Sequence, residues 1–241
     1  DKPVLRTEDL SFLPASHETL EKFLRTMLSP ATAAGVRQQL ERCGDDVMVC
    51  RGADGGILGA AAYGCIDSAH LFARLGDASL SALVRQNAGG RTLVISGLFV
   101  PRGERQSDIC QLLITEVVTL ALSREFTYAL YVPAEGAASG YGRQLLTLQG
   151  FLPVEGHTVA LAVDMRCPIV LSRYVDTAVK PPFSSSPRVL AAIANAHRHL
   201  QASLTKLRPG SLVLSLSAGV VYHRLLQRIT GRNGVPAEPT S

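Results

Sequence analysis

The chain has 241 residues, 46% hydrophobic and 18% charged, enough for one large domain or a domain with an appendage around a filled core. No stretch reaches the roughly 18 uninterrupted apolar residues of a membrane span, and the first residues lack a basic stretch followed by an apolar core. A soluble, cytoplasmic protein is therefore expected, without membrane partners. The formal charge of +4 hides an asymmetry: residues 1–165 carry 14 basic against 18 acidic side chains, and residues 166–241 carry 10 against 2. The ten basic residues of the second part are dispersed, with only Tyr174, Phe183 and Tyr222 to stack on bases, which argues against nucleic acid and for solvated helix faces. Cys43, Cys50, Cys65, Cys110 and Cys167 are odd in number and form no CxxC pair, so reduced thiols are expected, without a disulfide framework or a metal site.

In chain order, apolar residues at Leu20, Phe23, Leu24, Met27 and Leu28 predict an amphipathic helix over 15–28, and a second helix over 30–44 closes on Gly44 as its C-cap. Strands over 47–51 and 57–65, joined by Gly-Ala-Asp-Gly-Gly, read as a hairpin. Residues 79–86 suit a short helix, and RTLVISGLFVP is a β-branched strand that ends at Pro101. There follow an apolar helix over 108–126, a strand over 128–134, a helix over 139–151 with Gly150 at its end and a strand over 157–165. The order is α-α-β-β-(α)-β-α-β-α-β.

Past Met165, prolines and a triple serine suggest a surface linker up to Ser186. Ser186-Pro187 then opens a helix over 188–207, stopped by Pro209-Gly210, before a strand over 211–217 and a helix over 218–229. The predicted organisation is a domain over 1–165 and a basic αβα extension over 166–241 that could begin a further α/β domain.

LVISGLFV, the turn PRGERQSD, the helix ICQLLITEVVTLA, the strand YALYV and the segment RQLLTLQGF resemble, in order and spacing, the central region of the GNAT acyltransferases. In that family the strand is followed by a turn of the form R/Q-x-x-G-x-G/A, and a later helix ends in a Gly-Phe pair, here Gly150-Phe151. The resemblance runs over residues 4–165. It implies an α/β (α+β) fold with a GNAT-like mixed central sheet flanked by helices, to which the C-terminal αβα extension is appended. It also implies an N-acyltransferase that uses acetyl-CoA or a related acyl-CoA and a small-molecule or peptide amine acceptor. A second copy or a neighbouring domain is a further expected partner.

Unpaired N–H groups at a helix N-terminus, with the peptide dipoles behind them, favour a pyrophosphate such as that of coenzyme A. On the family's pattern the cofactor contacts are Leu98, Phe99 and Val100 along the strand and Arg105, Gln106, Ser107, Asp108, Ile109 and Cys110 around the turn. Arg105 takes the basic position, while Asp108 and Cys110 stand where small residues are expected. Asp108 would repel a phosphate, and with Ser107 it is also a good helix N-cap. The family's tyrosine, which protonates the departing thiolate, is replaced by Leu146. Tyr141, the candidate in its place, lies five residues earlier, about 140° around a helix.

Gly97 would permit a bulge that aims backbone N–H groups at a thioester carbonyl, and no Asp or Glu on this strand offers a general base. These departures sustain an alternative, a catalytically decayed GNAT-fold module that binds a ligand or supports a neighbouring domain. The discriminating feature is whether the strand beyond Gly97 and its neighbour near Tyr131 part; a closed sheet excludes the enzyme. His197 and His199, two apart on a helix, face different ways and suit no shared metal, and His223 reads as structural. Ser215 and Ser217 lack the G-x-S-x-G pattern of a nucleophile elbow.

Overall fold

The computed structural model describes residues 9–66, 91–103, 105–134, 140–155, 157, 159–178 and 187–206. The helix read over 79–86, the strand over 211–217 and the helix over 218–229 lie outside the described residues, as do His223, Ser215 and Ser217.

Two helices lie in the first part of the chain, each with a serine cap. The Ser16 hydroxyl oxygen accepts from the Thr19 N–H at the start of α1 (His17–Leu24), and Ser29 does the same for Thr32 at α2 (Pro30–Cys43), which has proline in its first turn. Leu20, Phe23 and Leu24 of α1 and Ala33, Val36 and Leu40 of α2 are buried. They form one apolar cluster with Val47, Val49, Ala60 and Ala62 of the sheet.

The sheet has seven strands in the order β1-β2-β3-β4-β5-β7-β6, formed by β1 (Ser11–Ala15), β2 (Asp46–Arg51), β3 (Ile57–Ile66), β4 (Arg91–Phe99), β5 (Phe126–Tyr131), β6 (Leu152–Pro153) and β7 (Leu161–Asp164). All neighbours are antiparallel except β4 and β5. A parallel pair needs a crossover, and α3 (Gln106–Ser123) supplies it. The mixed sheet with helices on both faces is the fold class that the sequence pattern implies.

Three local readings are corrected. β1 was not expected: its proline and its exposed residues hide a strand signal, but Pro14 is tolerated because β1 is an edge strand paired on β2 alone. The helix after the basic turn begins at Gln106, two residues before the expected start, and it ends at Ser123 so that Phe126 can open β5. The final strand of the first unit is shorter than expected, Leu161–Asp164, with a two-residue partner at Leu152–Pro153.

The largest difference lies past Met165. The expected linker contains α5 (Pro168–Ala178), because Val170, Leu171, Tyr174, Val175 and Ala178 recur at helical spacing and are buried, with Pro168 at the first helical position. α6 (Pro187–Lys206) follows and starts at the expected proline. Both helices join the cluster that holds α3 and the sheet. Along α3, every residue from Ile109 to Leu122 except Gln111 is buried, the mark of a helix covered on more than one side.

Polar ties reinforce the contact. The Asn195 side-chain N–H donates to the Leu122 carbonyl at 2.7 Å, Thr119 and Tyr174 share a buried hydroxyl hydrogen bond of 2.9 Å, and Arg188 pairs with buried Glu116. No helix among the described residues is long and apolar enough to cross a membrane. α4 (Gly140–Leu148) completes the helical layer on the α3 face.

Asn195→Ala withdraws the donor from a buried carbonyl, and a cost of about 1–3 kcal/mol is expected in global unfolding by chemical denaturant. A loss confined to a separate early transition would mean that α6 folds apart from the sheet.

Candidate functional site

β4 pairs with two neighbours over unequal lengths. With β3 it stays in register to Phe99, but between Ile95 and Gly97 the ladder shifts: Tyr63 faces Ile95 and Ala62 faces Gly97, leaving Ser96 as an extra residue. With β5 the ladder ends at Ile95–Tyr131. Two more backbone bonds follow, from Val132 N–H to the Ile95 carbonyl at 2.9 Å and from Ala134 N–H to the Ser96 carbonyl at 2.7 Å.

Consecutive carbonyls thus turn to the same side. Strand alternation then directs Gly97 toward β3, the Leu98 backbone toward β5 and Phe99 back again. The chain that follows β5 stays bonded to β4 as far as Ala134, the last of its described residues before α4. The Leu98 side chain packs on the α3 face and Phe99 on the α1–α2 face with Ala134. The Phe99 ring lies over Gly97 so closely that a Cβ there would come within 2.4 Å of it. Glycine at 97 makes room for that ring.

The N-terminus of α3 lies a short turn beyond the end of β4. Arg105 occupies the cap position with no side-chain cap bond, Gln106 N–H donates to the Gly103 carbonyl, and Ile109 N–H to that of Arg105. Ser107 and Asp108 therefore sit inside the first turn, which corrects the reading of this pair as the N-cap: the helix begins one residue before them. Asp108 is exposed, as are Arg102 and Arg105, so its charge is screened by water. The Gln106 side-chain amide donates to the Val100 carbonyl at 3.3 Å and ties the turn to the strand end.

Ile109 and Cys110 face the core, each 2% exposed. Only their backbone is in position to contribute to the turn. Burial pushes the Cys110 thiol up to about 11 and that of Cys50 to about 12.

Leu146, where the resemblance implies a tyrosine, is fully buried beneath α4. The helix begins at Gly140, ahead of Tyr141, so Tyr141 and Leu146 stay about 140° apart around it. Gly150 and Phe151 close α4 in a Schellman turn: Phe151 N–H donates to the Leu146 carbonyl, Gly150 N–H to that of Thr147, and Gly150 has φ of 103°. The motif positions Phe151 in the core under the sheet.

On the opposite face, a cavity of about 180 Å³ lies beside the Ser96 bulge. Its walls among the described residues are Ser96 of β4, Val132, Pro133 and Ala134 after β5, and Gln39, Leu40, Cys43 and Asp45 from the end of α2. None of the α2 residues follows from the local pattern around β4, and no signal in the sequence joins them to it. No group of three or more potential metal ligands occurs among the described residues.

No family model and no curated protein matches the chain. The similar solved structures are GNAT-family N-acetyltransferases. One, from Escherichia coli in complex with CoA, is 13% identical with a TM-score of 0.43, covering 70% of this chain and 87% of its own. Arylalkylamine N-acetyltransferase 2 from Aedes aegypti is 15% identical with a TM-score of 0.42, covering 65% and 99%. A Drosophila melanogaster polyamine N-acetyltransferase has the same identity and TM-score, covering 65% and 100%.

At pH 8, thiols held near 11 and 12 stay protonated, whereas Cys43 and Cys167 are partly accessible. Iodoacetamide labelling read by mass spectrometry is expected to modify Cys43 and Cys167 in the native protein, and Cys50 and Cys110 only after unfolding.

Proposed function

We propose that the chain is an N-acyltransferase of the cytoplasm that moves an acetyl or related acyl group from acyl-CoA to an amine. The observation that carries this reading is the Ser96 bulge, where two successive carbonyls turn to β5 while β4 goes on with β3, because it directs the Leu98 backbone away from β3 beside the start of α3, where the proposed cleft lies. Acyl-CoA supplies an acyl group activated as a thioester.

The chain's own groups divide the work. The Leu98 N–H donates to the thioester oxygen as negative charge develops on it, with Phe99 and Val100 continuing the wall of the cleft. Along the turn from Arg105 to Cys110, the N–H groups of Ser107 and Asp108 in the first turn of α3 and the Arg105 guanidinium would hold the pyrophosphate. The residues present fit such a ligand, since the Arg105 side chain makes no cap bond to the first turn of α3. The amine nitrogen forms its bond to carbon as the carbon–sulfur bond breaks; the nitrogen loses a proton to water and the sulfur leaves as a thiolate. Thiols ionise near pH 8.5, so that departure does not require a phenol.

Two observations favour the alternative of a decayed module: the buried Leu146 removes the family's tyrosine, and Asp108 adds a negative charge to the first turn of α3. Calorimetric titration with acetyl-CoA and coenzyme A separates the readings. Micromolar binding by the wild-type chain is expected, tightened by Asp108→Gly. Absence of binding in the wild type together with its gain in the glycine variant would establish decay.

Tyr141, named on the resemblance as the proton donor, is separately testable. Because it lies on another side of α4 from Leu146, Tyr141→Phe is expected to change kcat by less than about threefold, against the 10²-fold or more that loss of a general acid brings. A larger loss in steady-state assays would restore Tyr141 to that role.

A further inference from the structure

By strand alternation β3 turns Gly59, Ala61 and Tyr63 toward α3, so its smallest residue lies under the start of that helix. We infer that Gly59 is a positioning residue of the acyl-CoA site; this rests on the acyltransferase reading. With no side chain at 59, the first turn of α3 settles at the depth that spaces the Ser107 and Asp108 N–H groups from the Leu98 N–H.

A Cβ at position 59 would come within 2.8 Å of Ile109 Cγ2, 3.0 Å of Leu113 Cδ1 and 3.1 Å of Val100 Cγ2. These contacts belong to the two halves of the proposed site. Val100 follows directly on β4, while Ile109 and Leu113 lie one turn apart on α3, with Ile109 next to Asp108. The hydrogen bond from the Gln106 amide to the Val100 carbonyl joins the same two halves across the turn. Gly59 sits beneath their junction.

No side chain there can move aside cheaply. Ile109 and Leu113 are buried, and a β-branched residue in a helix keeps one preferred χ1, so Ile109 Cγ2 has nowhere to swing. An ordinary contact starts at 3.4 Å, so the 2.8 Å approach calls for a displacement of about 0.6 Å. β3 is laddered on both sides at this level, Gly59 to Cys50 and Ala60 to Phe99. α3, by contrast, starts after a turn with no side-chain cap bond. The helix start is therefore the part that gives way. Coenzyme A joins its pantetheine arm and its pyrophosphate covalently, so it would meet strand and helix at the wrong separation, and a misplacement near 1 Å can cost about 10²-fold.

The test uses three probes on the wild-type chain and on Gly59→Ala, titrated by NMR, with thermal melting to monitor folding. Coenzyme A spans both halves, S-acetylpantetheine reaches the strand alone, and inorganic pyrophosphate reaches the helix start alone. The expected result is coenzyme A binding weakened at least about tenfold by the alanine, with each short probe within about twofold of the wild type. Ile109→Ala removes the nearest atom, so adding it to Gly59→Ala is expected to return coenzyme A affinity to within about threefold of the Ile109→Ala chain.

Unchanged coenzyme A affinity in a folded Gly59→Ala chain overturns the proposal, as does an equal loss for all three probes, which marks a general structural defect. If Gly59→Ala does not fold, recovery of folding on adding Ile109→Ala upholds the contact and its absence overturns it. A wild-type chain that takes no coenzyme A refutes the acyltransferase reading instead. Residual dipolar couplings of Gly59→Ala then decide the spacing role: a shift of the α3 start against β4 upholds it, and an unmoved helix overturns it.

Discussion

β4 must satisfy two ladders of opposite direction and unequal length, and the rest of the structure follows from that demand. Its antiparallel ladder with β3 extends to Phe99, while its parallel ladder with β5 ends at Ile95 and is followed by a bond from Ala134 to Ser96. The extra residue at Ser96 lets one strand serve both: two successive carbonyls face β5, after which β4 continues with β3 alone among the described residues. Parallel pairing also dictates a crossover, which sets the start of α3 close to the end of β4. The bulge beside the proposed cleft, the nearby start of α3 and the cavity on the other face thus share one origin.

Such a cleft is useful only if its walls hold still. α3 is anchored by apolar contact with the sheet on one side and with α5 and α6 on the other. Buried Glu116 would be costly without its arginine, so the pair with Arg188 contributes more to fixing how α6 meets α3 than to net stability. The Asn195 bond to the Leu122 carbonyl ties the C-terminal end of α3, where Glu125, with φ of 59°, turns the chain sharply into β5. The helices past Met165 thereby hold in place the helix whose other end faces the proposed pyrophosphate site.

Much of this fold was legible from local chemistry. The spacing of Leu20, Phe23, Leu24, Met27 and Leu28 marked the first helix, Gly44 marked the end of the second and Gly150 that of α4, and the apolar run after Arg105 marked α3. β1 was not legible, because an edge strand exposed on one side carries little apolar signal and Pro14 argues against it. α5 was hidden among prolines and serines, which score as loop although Val170, Leu171, Tyr174, Val175 and Ala178 make a complete buried stripe.

The sequence by itself determined the elements around the cleft and the candidate contacts from Leu98 to Cys110, since these lie in one continuous segment where spacing and propensity act over a few residues. Only the tertiary structure decided that Ile109 and Cys110 face the core, that Leu146 is sealed beneath α4, and that β4 bulges at Ser96, because burial and register depend on what packs opposite. It alone brought Asp45 to Ser96. Their meeting requires α2 to cross the sheet and the chain to pass through β2 and β3 first, a long-range closure that no local pattern encodes.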